Sequence, residues 1–257
     1  MIINDMHVHT RYSIDSSASM AQYCVNALRL GVNTICFTDH LDSNNNDKGF
    51  LYYDVDAYFK EFEEIKVKYE GQLTLLSGLE FSEPHLYPSE FAIIQKYPYD
   101  FIMGSVHFFY NDMFPSQLAQ SGVSCEACFA YYWDEVLKMV SFGGFDCAGH
   151  LDFPKRYYRD LIYAEEKVSE IFRNMILQDI CPEINTSSLR KGLDQALPDG
   201  NLLTLYKNLG GKYVTIGSDA HSAGDLAADN TYARELIKKL GLQEVIFRSH
   251  RRQPTQD

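Results

Sequence analysis

IINDMHVH, residues 2–9, runs from two isoleucines to two histidines set one residue apart. In a β-strand, side chains two residues apart share a face. His7 and His9 therefore project together from the end of the strand, a spacing that suits two ligands on one metal ion. A single HxH pair near a terminus carries little weight, but the pattern recurs. NTICFTDH (33–40), LTLLSGLEF (73–81), DFIMGSVH (100–107), FDCAGHLD (145–152), ICPEINTS (180–187) and YVTIGSDAH (213–221) are also short apolar runs that finish in polar, ligand-capable residues.

Helical stretches separate these runs, among them MAQYCVNALRL, DAYFKEFEEIKVKYE, CEACFAYYWDEVLKMV, AEEKVSEIFRNMILQ and ARELIKKLG. Gly31, Gly71 and Gly241 stand where a helix end calls for a left-handed residue. Strand and helix alternating in this way predict an α/β chain with a parallel sheet, closed as a barrel. No linker or low-complexity segment divides the chain, so residues 1–257 are read as one domain.

In barrels of this kind the chemistry gathers at the carboxyl ends of the strands. Those ends hold His7 and His9, Asp39 and His40, Glu80, His107, His150, and Asp219 with His221. Six of the 8 histidines thus stand at strand ends, and only His85 and His250 do not. One hydrogen bond to a core histidine explains any one of them; it does not explain six at one mouth. The inventory exceeds what one tetrahedral ion takes and fits two or three divalent ions, zinc first, with manganese or iron as alternatives. Glu80 is the natural bridge, since a carboxylate offers two oxygens. Metal binding lowers the pKa of water from ~15.7 toward ~7 and so supplies a nucleophile at neutral pH.

Composition narrows the partners. The net charge is −12, from 35 acids against 23 bases. A polyanion binder shows a basic stripe, and here the only basic cluster is RSHRRQ near the C-terminus, read as a solvated tail. Nucleic acid is therefore not expected as a partner. No apolar run approaches the ~18–20 residues of a membrane span, so no membrane partner is expected either, and Met1 leads straight into a strand, which points to the cytoplasm. The 6 cysteines, including the CxxC of Cys125 and Cys128 inside a helical run, read as reduced and structural. The oligomeric state is not legible.

With HVH followed by an acidic residue, TDH, SVH and SDAH in this order, the sequence resembles the polymerase and histidinol phosphatase (PHP) domain family. The likeness extends from about residue 3 to 247. RYSID, GHLD, EINTSSLRKG and SDAHSA look most like its histidinol-phosphate phosphatase branch. The resemblance implies a distorted (β/α)7, TIM-like barrel and three metal sites: His7, His9, Glu80 and Asp219; Glu80, His107 and His150; Asp15, His40 and His221. Asp15 stands where many relatives carry histidine. Asp5 and Asp39 are expected to orient ligands without touching the ions.

The activity implied is hydrolysis of L-histidinol phosphate, a small phosphate monoester, to L-histidinol and phosphate in histidine biosynthesis. Glu80 and Asp219 would be catalytic through the metals and the leaving-group proton. Arg156, Arg159, Arg190 and Ser222 are the candidates for the phosphate, because arginine presents a planar fork to phosphate oxygens. Glu83 or Glu183 is expected to receive the substrate's cation. The alternatives are another phosphoesterase of the family, acting on nucleotides, oligonucleotides or phosphotyrosine, and a non-catalytic metal-binding accessory domain.

Overall fold

The computed structural model describes residues 2–255. Strands form at each of the seven runs: β1 (Asn4–Val8), β2 (Thr34–Leu41), β3 (Thr74–Ser82), β4 (Phe101–Ser105), β5 (Cys147–Ala148), β6 (Cys181–Asn185) and β7 (Tyr213–Gly217). They pair in chain order, all in parallel. Helices cover the outside of the sheet, the main ones being Met20–Leu30, Val55–Lys68, Cys125–Phe142, Glu165–Leu177 and Asn230–Leu240. The first starts at a capping box, in which the Ser19 hydroxyl accepts from the Gln22 amide and the Gln22 side chain accepts from the Ser19 amide. It stops at Gly31 in the left-handed region. Gly71, expected as a helix cap, lies beyond its helix end at Tyr69 and turns the chain toward β3 instead.

The seven-strand expectation falls two short. The chain adds β8 (Gln243–Arg248), parallel to β7, and β9 (Arg251–Pro254), antiparallel to β8. RSHRRQ is therefore the turn and outer strand of a hairpin and not a solvated tail. Its charged residues face outward while Val245 and Phe247, two residues apart, are buried.

Those two side chains close the bottom of the barrel. They pack with Met6, Cys36, Leu76, Phe101, Met103, Cys147 and Cys181, which form an apolar floor separate from the larger core beneath the helices. On β2, Cys36 on the floor and His40 near the mouth have the same parity; so do Leu76 and Glu80 on β3, and Met103 and His107 along and just beyond β4. Strand β1 has a register irregularity between Asp5 and Val8, which lets Met6 join the floor while His7 faces the mouth. The strand ladder does not run fully round. β1 and the end of β7 meet through the single bridge Val8–Ala220, where His9 N–H donates to the Ala220 carbonyl and Asp219 N–H to that of His7, each at 2.9 Å. Lower down, Asn4 reaches β8, donating to the Glu244 carboxylate at 2.8 Å. The result is a distorted, incompletely closed α/β barrel.

Candidate metal centre

Above the floor, Glu80 sits at the middle of a ring of imidazoles and is fully buried. Its two oxygens face different neighbours. Oε2 lies 3.1 Å from His7 Nε2, 3.4 Å from His9 Nε2 and 3.1 Å from His40 Nδ1. Oε1 lies 2.9 Å from His150 Nε2 and 3.4 Å from His107 Nε2. Asp219 divides its oxygens in a similar way. Oδ1 faces His9 Nε2 at 3.4 Å and His7 Nε2 at 3.9 Å, while Oδ2 accepts from Arg156 at 2.6 Å and Ser187 at 3.0 Å.

Three clusters follow. His7, His9, Glu80 and Asp219 converge; Glu80, His107 and His150 converge beside them. At the exposed edge, Asp15 Oδ2 lies 2.9 Å from His221 Nε2 and 3.8 Å from His40 Nε2. His40 and His107 also group with Asp42, and His40 and His221 with His9.

The donors fit metal ions better than they fit one another. His7 donates its Nδ1–H to Glu183 Oε1 at 2.6 Å, and His9 directs its Nδ1 to the Ser13 hydroxyl at 3.1 Å. Their Nε2 atoms face each other at 2.9 Å. Two bare lone pairs at that distance repel, so the gap takes either a proton carried by one ring or a metal ion that both atoms ligate. Donors about 2.0–2.1 Å from a tetrahedral ion stand about 3.3 Å apart, within the range of spacings seen here. His40 Nδ1, buried and without a hydrogen-bond partner, points at Glu80.

The local field is mixed. Burial opposes charge on His7, but Glu183, Glu80 and Asp219 hold its pKa well above the usual imidazole range. Burial also opposes charge on His107, yet its contacts with Glu80 push it up to about 9. His9 goes the other way: burial, then the charges of His40 and His221, push it well below. Burial works against the charge on Asp219, and the Arg156 guanidinium and His7 hold it well below the carboxylate range nonetheless.

Two of the candidate ligands stand on backbone that L-residues rarely adopt. Asp219 has φ 53° and His150 φ 24°, conformations that persist only when the surroundings hold them. Asp5 holds the first: it accepts from Ser218 N–H at 2.9 Å and Ala227 N–H at 2.8 Å, on either side of Asp219. Glu183 helps with the second, accepting from His150 N–H at 2.9 Å. Gly217 permits the close approach of β7, since a Cβ there would come within 2.0 Å of Glu183 Oε1. Asp39, also buried, accepts from Thr10 N–H at 2.5 Å and Ser13 Oγ at 2.8 Å. Asp5 and Asp39 thus brace the ligand loops and stay outside the clusters.

The structure does not bring every predicted residue to the site. A cavity of about 440 Å³ opens over the clusters. Arg156 lines it and Arg159 does not: the short helix Lys155–Tyr158 ends between them, and Arg159, at φ 70°, turns outward to the Lys191 carbonyl. Arg190 donates to the Ser218 carbonyl at 2.6 Å, and Ser222 donates to Asp225 at 2.9 Å; neither borders the cavity. Glu183 and Glu83 are also corrected as cation receivers. Neither borders the cavity: Glu183 accepts from His7, His150 and Asn185, and Glu83 Oε1 accepts from the His107 and Phe108 amides while its Oε2 is buried without a hydrogen-bond partner. Burial raises the Glu83 carboxyl to about 8.

Sequence reasoning missed Lys191 at the rim and a wall of aromatic rings, Phe108, Phe114, Phe153 and Tyr157, of which Phe153 packs 4.9 Å from the His150 ring and 5.1 Å from the His107 ring. It also missed Asn185 on the inner face of β6, and took Glu183 for a substrate contact where it holds His7 and His150. His85 pairs with Glu135 and His250 with Asp146, both outside the clusters. All 6 cysteines are free. Among the described residues, no helix is long and apolar enough to cross a membrane.

Comparison with known proteins follows the same line. The profile of the PHP domain matches residues 5–187. The "Probable histidinol-phosphatase" of Clostridium acetobutylicum is 28% identical over 261 residues, covering 96% of this chain and 97% of that protein. The histidinol-phosphatase of Lactococcus lactis subsp. lactis is 28% identical over 250 residues, covering 94% and 92%. A crystal structure of histidinol phosphate phosphatase from L. lactis, complexed with zinc, L-histidinol and phosphate, superposes with a TM-score of 0.82 at 26% identity, covering 98% of each chain.

Proposed function

The chain belongs to the PHP domain family, and from that premise we propose that its barrel mouth is the active site of a histidinol-phosphatase. The enzyme hydrolyses L-histidinol phosphate to L-histidinol and phosphate. Support comes from likeness over nearly the whole length to proteins of that activity, including one whose structure holds zinc, L-histidinol and phosphate. The observation that carries the reading is Glu80, whose two oxygens each serve a different set of imidazoles. A bridging carboxylate has this arrangement, and an isolated buried glutamate has no need of it.

In this reading the whole chain is one cytoplasmic domain that holds three divalent ions, zinc first. His7, His9, Glu80 and Asp219 hold one; Glu80, His107 and His150 the second; Asp15, His40 and His221 the third. Bound ions supply a nucleophile at neutral pH and neutralise phosphoryl charge. The chain's own groups do the rest. Arg156 lies in the cavity wall with its guanidinium fixed by Asp219, Ser187 and Asn185, placed to bind a phosphoryl oxygen. Asp219, held strongly ionised, accepts that clamp on one oxygen and faces the imidazoles with the other. A mouth rimmed by acids suits a small cationic phosphate ester and disfavours a polynucleotide.

The test is release of inorganic phosphate from L-histidinol phosphate by protein loaded with zinc, manganese or iron. Turnover that chelation abolishes is expected. No release with any of the three metals would refute the reading.

A further inference from the structure

We propose that Ser13 and Ser82 are positioning residues of the metal centre. Each passes the Nδ1–H of one imidazole to a buried carboxylate and so fixes the tautomer that turns an Nε2 lone pair toward the ions. The inference rests on reading His9 and His107 as ligands.

The argument is one of hydrogen count. A serine hydroxyl has one hydrogen and can otherwise only accept. Ser82 Oγ donates its hydrogen to Asp42 Oδ1 at 2.6 Å. The same oxygen lies 3.0 Å from His107 Nδ1, so the proton in that contact belongs to the imidazole. Ser13 repeats the arrangement from a different part of the chain. Its hydroxyl donates to Asp39 Oδ1 at 2.8 Å and lies 3.1 Å from His9 Nδ1. Asp39 cannot swing away, because its oxygens also accept from the Thr10 amide at 2.5 Å and the Thr10 hydroxyl at 2.8 Å. All four side chains are buried.

His7 shows the direct version, with Glu183 on its Nδ1 at 2.6 Å. At His9 and His107 the carboxylate stands further back, and a serine bridges the gap. One relay serves each of the two ions that Glu80 would join. Carboxylates that orient metal-bound histidines raise ligand basicity and fix the ring; here two of them act at one remove. The sequence places Ser82 for this role two residues after Glu80 and on the same face of β3, and Ser13 four residues after His9 in the following loop.

Ser82 gives the cleaner test, because Ser13 also accepts from the His40 backbone N–H at 2.9 Å. Zinc affinity is measured by chelator competition on wild type, Ser82→Ala, Ser82→Thr, His107→Ala and the Ser82→Ala/His107→Ala double variant. Ser82→Ala should bind zinc about 10- to 100-fold more weakly. Ser82→Thr, which keeps the hydroxyl, should recover the affinity, and the double variant should bind no more weakly than His107→Ala. Wild-type affinity in Ser82→Ala overturns the inference, as does the same loss added on top of His107→Ala. If Ser82→Ala does not fold, ring-nitrogen NMR of the zinc-loaded wild type decides: a proton on His107 Nδ1 is expected, and a bare Nδ1 refutes it. Wild-type protein that binds no zinc overturns the metal reading itself. Wild-type protein that binds zinc with Ser82→Ala equal to it overturns this inference alone.

Discussion

Replacing Glu80 by glutamine keeps the length of the side chain and removes its charge, and two ions should weaken together. Each oxygen faces its own cluster, Oε2 toward His7 and His9 and Oε1 toward His107 and His150, so a single change strikes both. Zinc held by four protein ligands is bound by about 10–16 kcal/mol. At the four-ligand site one ligand therefore represents about 2.5–4 kcal/mol, or about 70- to 900-fold in affinity, and at the three-ligand site of Glu80, His107 and His150 a larger share. The Asp15, His40 and His221 set keeps its three side chains. Elemental analysis after dialysis against graded chelator reads the occupancy, kcat/KM is taken on the same samples, and circular dichroism checks the fold. Two ions should leave Glu80→Gln over one range of chelator, with activity following, whereas His150→Ala should weaken only one. Full occupancy in folded Glu80→Gln, or the loss of a single ion, would refute the bridge.

Arg156→Ala removes a charge-assisted contact worth about 1.5–3 kcal/mol, so kcat/KM should fall about 10- to 150-fold. Arg159→Ala, at an exposed position outside the cavity, should stay near wild type; equal losses in the two variants would sink the assignment. In the metal-free protein His107 sits near 9 and His7 and His221 are also raised, so ions must displace protons. Zinc uptake should release protons at pH 7.5, and apparent affinity should climb between pH 6 and 9; calorimetry in buffers of different ionisation heat checks this, and pH-independent binding contradicts it. At the opposite end of the barrel, the hydrogen bond to Asp146 raises the pKa of His250, with Asp100 adding to it. A raised folded pKa gives stability that is fully present below the unfolded value near 6.5 and is lost as pH rises through the folded pKa. Denaturation should therefore show His250→Gln less stable than wild type at pH 5.5 and similar to it at pH 9, and an equal difference at both would refute the linkage.

Most of the site was legible because parallel strands impose parity. Once a run is a strand ending at the mouth, residues spaced by two share the inner face, which is how His40, Glu80 and His107 come together. The same rule applied to β6 turns Asn185 inward beside Glu183; Glu183 was expected at the mouth, but as a substrate contact, because its partners His7 and His150 lie far away in sequence. The β8–β9 hairpin was hidden by its charges. Val245 and Phe247 alternate as a strand should, yet the arginines around them dominate composition, and only the tertiary structure shows an open barrel floor for them to fill. Arg156 and Arg159 are one helical turn apart and indistinguishable in sequence. What separates them is a helix end at Tyr158 and a left-handed residue after it. Arg190 follows a strand end, as expected, but its guanidinium turns to the Ser218 carbonyl and toward Asp225, outside the cavity lining.

The central claim is a metal-dependent phosphatase selective for a small cationic alcohol phosphate. The most direct measurement is kcat/KM of one metal-loaded preparation on L-histidinol phosphate, on p-nitrophenyl phosphate and on single-stranded DNA. L-histidinol phosphate should be preferred over the aryl phosphate by orders of magnitude, with almost no nucleotide released from DNA. Comparable rates on the two esters, or efficient release of mononucleotides, would contradict it.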